Sequence, residues 1–237
     1  VPGTKFIHYN LVSDLKKIPK NTAAVILETI QGGAGFIVPK DGYLKKVKQR
    51  CEEVGALLIV DEIQTGIGRT GKFWGFEHFE IMPDIIISGK GLGGGMPIGA
   101  FIAQKNLMDV LKEHPTLGHI TTFGGHPVIA SAGVATVNTI QNSTLIEDTL
   151  EKEQLIRSLL KHPLIKEIRG KGLMLAVLVE SPEIAAKIIH RCLANGLILF
   201  FLLFEGRAIR ITPPLTISKK EINKGCKILL KILDELS

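Results

Sequence analysis

Two charged residues, Asp61 and Lys90, stand where the chain could bring them together for chemistry. Each follows a short apolar run typical of a buried strand, residues 56–60 for Asp61 and residues 85–87 for Lys90. Lys90 lies 29 residues after Asp61, which is about one excursion from a strand to the next. Ligands of open α/β sheets bind beyond the carboxyl ends of the strands, so both side chains are expected at a ligand site.

A glycine-rich loop, residues 91–95, follows Lys90 and allows a ligand to approach the backbone closely. A lysine beside glycines also suggests a P-loop, but that motif needs a Ser or Thr after the lysine, and Gly91 stands there. The dinucleotide-binding fingerprint fails as well, because no helix-opening pattern follows Gly94. Both nucleotide-binding interpretations are therefore disfavoured.

A lysine and an aspartate at strand ends have a natural joint use, which is to hold pyridoxal 5'-phosphate (PLP). The lysine forms a Schiff base with the cofactor aldehyde. The aspartate keeps the pyridinium nitrogen protonated, so that the ring accepts electrons. Taken alone, Asp61 is more often a helix cap or a structural ion pair, and Lys90 a solvated surface lysine. The pair by itself leaves these interpretations open.

The composition is that of an ordinary globular protein. Of the 237 residues, 45% are apolar and 22% charged, and the formal net charge is +6. No basic run exceeds two residues and only 13 side chains are aromatic, which argues against nucleic-acid binding. Cys51, Cys192 and Cys226 are isolated, which favours a reducing, cytoplasmic location over disulfides or a zinc site. The longest apolar run, residues 197–204, is too short to span a membrane and predicts a buried strand.

Short apolar runs alternate with helical patterns, which predicts an α/β fold. The first four buried strands are expected at residues 23–28, 56–61, 84–88 and 98–103. A helix is expected at residues 41–55, with Leu44 and Val47 on one face. Further helices are expected at residues 126–142, 145–160, 182–195 and 218–236. Thr216 or Ser218 is expected to cap the last helix, and Glu221 would complete a capping box with Ser218. Charged helices dominate after about residue 142, so two domains are predicted, residues 1–142 and residues 143–237.

Longer motifs surround Asp61 and Lys90. They read LIVDEIQTG at 58–66, GRTG at 68–71, PDI at 83–85 and SGKGLGGGMPIGA at 88–100. In this order they resemble the signature of class III (subgroup II) PLP-dependent aminotransferases, and the resemblance covers essentially the whole chain. Within the class the chain is most similar to acetylornithine and ornithine aminotransferases. GHITTFGGHP at 118–127 resembles their threonine–phosphate segment, and IRITPPL at 209–215 resembles the segment of their carboxylate-binding arginine.

The resemblance implies the α/β fold of PLP-dependent transferases of fold type I. Residues 1–142 would then be the C-terminal part of the large PLP-binding domain, with its mixed sheet. Residues 143–237 would be the small C-terminal α/β domain.

The resemblance also implies roles for individual residues. Lys90 would bond to PLP and, once released, shuttle a proton, while Asp61 would bind the ring nitrogen. Gln64 is expected near the ring hydroxyl, and Ile63 against one ring face. Thr122 would reach the phosphate of the neighbouring subunit's cofactor, which implies a homodimer with composite active sites.

The substrate side shows one departure from the family. Arg210 is expected to hold the substrate α-carboxylate, with a surface ion pair as the alternative. Residues 28–35 read ETIQGGAG where the ornithine-type enzymes usually read Glu-Pro-Ile-Gln-Gly-Glu. Gly33 therefore replaces a glutamate that gates the substrate arginine, which should alter the switch between amino donor and glutamate. Glu28 is either a supporting partner of the site or only a polar residue at a strand end.

A second departure lies at the start of the chain. Before the position of Val1 the family carries the loop that cradles the PLP phosphate and the aromatic residue that stacks on the ring. From this we expect a C-terminal portion that alone binds PLP weakly, is inactive, and either associates into oligomers or is unstable.

The expected reaction moves an amino group from N-acetylornithine, another N-acylornithine or ornithine itself to 2-oxoglutarate, as in arginine biosynthesis. One alternative is another class III reaction, such as ω-amino acid transamination or aminomutase chemistry. The other is a non-catalytic fragment that acts with a partner chain. No nucleic-acid, membrane or metal partner is expected.

Overall fold

The structure is a computed structural model that describes residues 2–113, 116 and 118–237. The chain divides into two compact units. The first consists of Val1–Thr29, Pro39–Gln64 and Phe76–Gln141. The second consists of Ile30–Val38, Thr65–Gly75 and Asn142–Ser237.

The first unit is built on a four-stranded mixed sheet, in the order β1-β2-β3-β4. The strands are β1 (Ala24–Glu28), β2 (Leu57–Asp61), β3 (Ile85–Gly89) and β4 (Gly99–Ala103). The first three strands are parallel, and β4 is antiparallel to β3. Parallel strands end at the same edge of a sheet, and here Asp61 pairs in register with Glu28 on one side and Ile87 on the other. The carboxyl edge predicted from the sequence therefore exists.

A helix, α1 (Tyr43–Val54), connects β1 to β2, as a crossover between parallel strands requires. Its buried residues recur with helical spacing and include Leu44 and Val47, the two residues expected to share one face. Burying such side chains stabilises the unit by about 1.5–3 kcal/mol each. Gly55 ends the helix at a φ of 74°, in the left-handed region that glycine adopts without strain.

Two more helices complete the first unit, α2 (Lys105–Asp109) and α3 (Pro127–Gln141). The small residues of α3 let it approach the short 3₁₀ helix Lys90–Gly93 that follows β3. A Cβ atom at Gly133 would already touch Ile98 Cδ1 at 3.4 Å. Through this close packing, α3 contacts the 3₁₀ helix that begins the glycine-rich loop.

The second unit contains an antiparallel sheet in the order β5-β6-β8-β7. The strands are β5 (Glu167–Lys171), β6 (Met174–Leu178), β7 (Phe200–Phe201) and β8 (Ala208–Ile211). The helices are α4 (Leu145–Leu159), α5 (Pro182–Ala194) and α6 (Lys219–Asp234). All five residues of β6 are buried, and apolar residues of the three helices pack around this strand and β8.

The predicted capping box at the start of α6 is confirmed, with Ser218 and not Thr216 as the capping residue. The Ser218 hydroxyl accepts a hydrogen bond from Glu221 N, and the Glu221 carboxylate accepts one of 2.8 Å from Ser218 N. Ser181 caps α5 in the simpler way, by accepting from Ile184 N. These bonds satisfy backbone N–H groups that the first turn of a helix leaves unpaired.

The predicted buried strand at residues 197–204 is wrong. Only Phe200–Phe201 forms a strand, β7, and these two residues are 48% and 49% exposed. Ile198 and Phe204 are more exposed still, at 81% and 83%. The reason is topological, because β7 lies at the sheet edge and pairs only with β8. An apolar run identifies residues that could be buried, but not whether a neighbour covers them.

The chain divides at Gln141/Asn142, close to the predicted boundary, but a single cut does not describe the two units. Residues 30–38 and 65–75 group with the second unit. Ile30 and Phe36 are fully buried beside Met174, which ties the first of these segments to β6. The functional assignment of the two parts as PLP-binding and small domains stays a prediction.

The three cysteines are buried and free, and burial raises the pKa of each thiol to about 11. At neutral pH they are therefore protonated and poorly reactive. Among the described residues, no helix has both the length and the apolar character needed to cross a membrane.

Candidate active site

Asp61 lies at the carboxyl edge of the first sheet, as the last residue of β2. It is half-buried, and its Oδ1 accepts a hydrogen bond of 2.9 Å from the backbone N–H of Ile63. Within the described residues nothing else bonds to this carboxylate. Its second oxygen, Oδ2, is thus available to accept a hydrogen bond from a ligand.

Lys90 follows β3 directly and opens the 3₁₀ helix Lys90–Gly93. Its φ of 42° lies in the left-handed region, which is uncommon for a residue with a side chain. Backbone strain of this kind costs about 1–3 kcal/mol and is concentrated at functional sites. The side chain is exposed and forms no ion pair with the described residues, so its amine is available for chemistry.

Ile63 joins the segment after Asp61 to the start of the Lys90 loop. A Cβ atom at Gly89 would stand 3.7 Å from both Cγ atoms of Ile63 and 3.1 Å from the carbonyl oxygen of Ile98. Position 89 thus has little room for a side chain, which lets the two segments approach. Asp61, Ile63 and Lys90 accordingly share one edge of the sheet.

Gln64 and Glu28 flank the same edge. Gln64 is half-buried, and its side-chain amide makes no hydrogen bond within the described residues. Glu28 ends β1 and pairs in register with Asp61. Burial, Tyr43 and the Glu28 carboxylate raise the pKa of the Tyr9 hydroxyl.

Thr122 lies elsewhere in the first unit, in the turn that precedes α3. Every residue from 118 to 128 is exposed, including Phe123 at 74%. No hydrogen bond of the Thr122 side chain is made within the described residues. Among the residues that the structure describes, no hydrogen bond therefore joins the Thr122 side chain to the Asp61–Lys90 edge.

Arg210 belongs to the second unit, where it lies in β8 between Ala176 of β6 and Phe200 of β7. Its guanidinium carbon lies 5.1 Å from the centre of the Phe200 ring, within range of a cation–π interaction. No described carboxylate pairs with it, which argues against the surface ion pair. A half-buried guanidinium without an acidic partner is well suited to bind an anion.

Gly33, at the position of the family's gating glutamate, lies under Phe204 in the second unit. Phe204 N donates a hydrogen bond of 2.9 Å to Gly33 O. A Cβ atom at Gly33 would approach the Phe204 ring to 3.1 Å, which is tighter than an ordinary contact. An aromatic ring thus covers the position from which a glutamate side chain would start.

Comparison with known proteins decides the family. The sequence profile described as Aminotransferase class-III matches residues 4–233. This chain is a class III aminotransferase family member. It is 41% identical to a putrescine aminotransferase of Pectobacterium atrosepticum over 233 residues, which is 95% of this chain and 50% of that protein. It is 38% identical to an acetylornithine aminotransferase of Caldanaerobacter subterraneus, covering 99% of this chain and 59% of the relative.

A solved structure gives the same result for the fold of this family member. An ornithine aminotransferase from Toxoplasma gondii, described with partial occupancy of PLP at its active site, matches with a TM-score of 0.92 and 36% identity. The match covers 99% of this chain and 56% of that one. The fold is therefore that of PLP-dependent transferases of fold type I, as the resemblance implied. The chain spans about half the length of the curated relatives it matches.

Class III aminotransferases use PLP, and the carboxyl edge of this family member fits that cofactor. Asp61 offers an unengaged carboxylate oxygen for a protonated ring nitrogen. Lys90 offers an unpaired amine at the end of the strand next to that of Asp61. The crowded backbone at Gly89 keeps side chains out of the space between these two segments.

Sequence reasoning missed three buried residues that fix segments carrying candidate site residues, two in the first unit and one in the second. Thr29 and Glu62 are fully buried and joined by a hydrogen bond beneath the carboxyl edge of the first sheet. Arg69, in the second unit, donates hydrogen bonds to Leu173 O at 3.1 Å and Pro213 O at 2.6 Å, and burial lowers its pKa. It thereby fastens the loop that follows Arg210. All three residues lie within the sequence motifs at 28–35, 58–66 and 68–71, but only their burial and hydrogen bonds show that they hold neighbouring segments in place.

Proposed function

We propose that this protein takes part in PLP-dependent transamination, in which an amino group passes from N-acetylornithine, another N-acylornithine or ornithine to 2-oxoglutarate. The observation that carries the proposal is that two groups lie at the same sheet edge. They are the Asp61 carboxylate, with one oxygen that bonds to no described residue, and the Lys90 amine, which forms no ion pair with one. The names of its relatives support the donor class. Putrescine and ornithine both carry a primary amine at the end of a short, unbranched chain.

Lys90 and Asp61 carry the chemistry in this proposal. PLP, when bound, supplies an aldehyde that bonds to amines and a ring that withdraws electrons from the substrate carbon. Lys90 would hold the cofactor through its amine, and once that amine is free it would take a proton from, and return it to, the substrate carbon. Asp61 accepts a hydrogen bond from the ring nitrogen and keeps that nitrogen protonated.

The remaining residues orient the two partners. Ile63 packs on one ring face, and Gln64 lies near the ring hydroxyl. Arg210 binds the substrate α-carboxylate, and its lack of an acidic partner supports this role. Glu28, at the end of β1, supports the edge next to Asp61.

Thr122 is assigned to the neighbouring subunit's cofactor phosphate, so the proposal includes a homodimer with composite active sites. The full exposure of residues 118–128 supports an assignment outside the subunit's own sheet edge. A cytoplasmic location and a place in arginine biosynthesis remain predictions from the sequence.

A second candidate function within the family is favoured by Gly33. Without a carboxylate at this position, nothing on residue 33 can neutralise a substrate-binding arginine. A donor that relies on a gating glutamate would then be handled less well than a diamine or another ω-amino compound. The Phe204 ring over Gly33 would suit the apolar chain of such a donor.

A donor panel separates these candidates. Purified protein with PLP and 2-oxoglutarate is incubated with N-acetylornithine, ornithine, putrescine or an ω-amino acid, and glutamate formation is measured. Lys90→Ala serves as the blank. Fastest turnover with the ornithine compounds supports the leading proposal, and fastest turnover with putrescine or an ω-amino acid supports the second. Glutamate formation that survives in Lys90→Ala would contradict both.

A further inference from the structure

Beneath the carboxyl edge of the first sheet lies a buried pair of side chains, Thr29 and Glu62. Both residues are 0% exposed, and the Thr29 hydroxyl donates a hydrogen bond to Glu62 Oε1. Thr29 stands where the ornithine-type enzymes usually have proline, a residue with no hydroxyl to donate. This contact therefore depends on a residue in which the chain departs from the pattern it resembles.

Glu62 ties several segments of the first unit together. Its backbone N–H donates a hydrogen bond of 2.8 Å to Ile87 O in β3. Its Oε1 accepts a second hydrogen bond, of 3.0 Å, from the backbone N–H of Phe76. A buried carboxylate is costly unless hydrogen bonds satisfy it, so these donors hold it in one place.

Thr29 is fixed from its other side as well. The Tyr9 hydroxyl donates a hydrogen bond of 2.7 Å to Thr29 O. Burial, Tyr43 and Glu28 raise the pKa of Tyr9, so this hydroxyl stays protonated and keeps donating at neutral pH. Thr29 is thus a fixed point against which the Glu62 side chain is held.

The Thr29–Glu62 hydrogen bond matters for the site because Glu62 lies between Asp61 and Ile63 in the chain. Asp61 and Ile63 are half-buried neighbours on either side of the fully buried Glu62. The backbone N–H of Ile63 in turn orients Asp61 Oδ1. A segment clamped at its central residue has little freedom to turn the flanking side chains away from the cofactor.

We propose that Thr29 is a positioning residue, which holds Glu62 so that Asp61 and Ile63 are set in place before the cofactor binds. The inference rests on the proposed PLP function for its consequence, whereas the clamp consists of hydrogen bonds within this chain. Removing the Thr29 hydroxyl should loosen residues 61–64 and weaken PLP uptake, although Thr29 touches neither cofactor nor substrate.

The test compares Thr29→Val, which keeps the shape and removes the donor, with Thr29→Ser, which keeps the donor. Thr29→Cys offers a weaker donor and should lie between them. Thr149→Val is the matched control, because Thr149 is also 0% exposed and its hydroxyl donates to Leu145 O within the second unit. Each variant is examined for hydrogen exchange of peptides that cover residues 61–64 and Phe76, without PLP, and for PLP affinity by absorbance titration.

We expect faster exchange at residues 61–64 and about tenfold weaker PLP binding for Thr29→Val, near-normal values for Thr29→Ser and an intermediate for Thr29→Cys. Thr149→Val should lower the unfolding temperature but leave both measurements unchanged. Unchanged exchange and affinity in Thr29→Val would overturn the inference, and so would equal losses in Thr29→Val and Thr149→Val. Failure of the unmutated protein to take up PLP would instead count against the proposed function, and the exchange comparison would still decide whether the clamp exists.

Discussion

The segment 61–64 and the turn 118–126 both carry residues assigned to the cofactor, yet their surroundings differ sharply. Residues 61–64 are anchored within their own unit by Glu62, whose carboxylate and backbone are hydrogen-bonded to three other segments. The turn around Thr122 is exposed along its whole length, and the bond from His126 N to Phe123 O, at 3.2 Å, is local to it. Its contact with the first sheet is an edge-to-face packing of the His119 ring on Phe101, with ring centres 4.8 Å apart.

Under the proposed homodimer, this difference separates residues held in place by their own chain from a residue assigned to the neighbouring subunit. Hydrogen bonds in the interior fix Asp61 and Ile63 before any ligand arrives. An exposed turn with apolar residues such as Ile120 and Phe123, at 72% and 74% exposure, is instead suited to be ordered by another surface. The assignment of Thr122 to a neighbouring subunit agrees with this contrast.

Asp61→Asn tests the segment 61–64, and of the substitutions proposed here it should have the largest effect. The amide keeps the shape of the side chain but cannot hold a proton on the ring nitrogen, so whatever rate of glutamate formation the unmutated chain shows at saturating PLP should fall roughly 100- to 1,000-fold. The loss should be the same at every protein concentration, because the defect lies within one chain. Steady-state kinetics over a range of protein concentrations measures this loss. A loss that depends on protein concentration would contradict the claim that residues 61–64 are held in place by their own chain.

Thr122→Ala tests the exposed turn 118–126. Loss of one hydrogen bond to a phosphate should weaken PLP binding by about tenfold, measured by absorbance titration. Thr121→Ala is the matched control, because Thr121 is an exposed threonine in the same segment.

Mixing two defective chains sharpens this test further. In a hybrid of Lys90→Ala and Thr122→Ala chains, composite sites would give one site with both defects and one with neither. Activity at low PLP should then recover on mixing, to a level above that of either parent. Absence of recovery, with hybrid formation verified by mass spectrometry, would place Thr122 at its own chain's site.

Ser218→Ala changes neither the segment 61–64 nor the turn 118–126, and it should have the smallest effect. Loss of the capping box at α6 should lower the free energy of unfolding by about 1 kcal/mol. Ser218→Asn keeps a capping side chain and should recover most of that stability. PLP affinity should be unchanged in both, and a parallel loss of affinity would show that the cofactor edge depends on this distant helix.

The fold was predictable where local pattern determines it. Helical spacing located α1 and its buried Leu44 and Val47, and capping chemistry located the start of α6. Residues 197–204 show the limit, since hydrophobicity alone does not reveal that β7 would lie at an open edge. Burial of Ile30 and Phe36 with β6 also joins distant parts of the sequence, which periodicity cannot indicate.

The placement of Asp61 and Lys90 at one sheet edge was predictable from the sequence, and the buried contacts around them were not. Asp61 and Lys90 follow apolar strands at a suggestive spacing, so their types and positions were informative. Thr29 and Glu62 gave no such signal, because their importance comes from mutual burial between segments 33 residues apart. The positive φ of Lys90 was equally invisible, since a lysine is not expected to adopt it.

The central claim is that Lys90 holds PLP at the edge marked by Asp61. Reduction of the protein–PLP mixture with borohydride, followed by digestion and peptide mass spectrometry, tests it most directly. With PLP raised to saturation, we expect labelling to approach one phosphopyridoxyl group on the peptide that contains Lys90, and none when Lys90→Ala is treated in the same way. Label spread over surface lysines, or equal labelling of the Lys90→Ala variant, would contradict the claim.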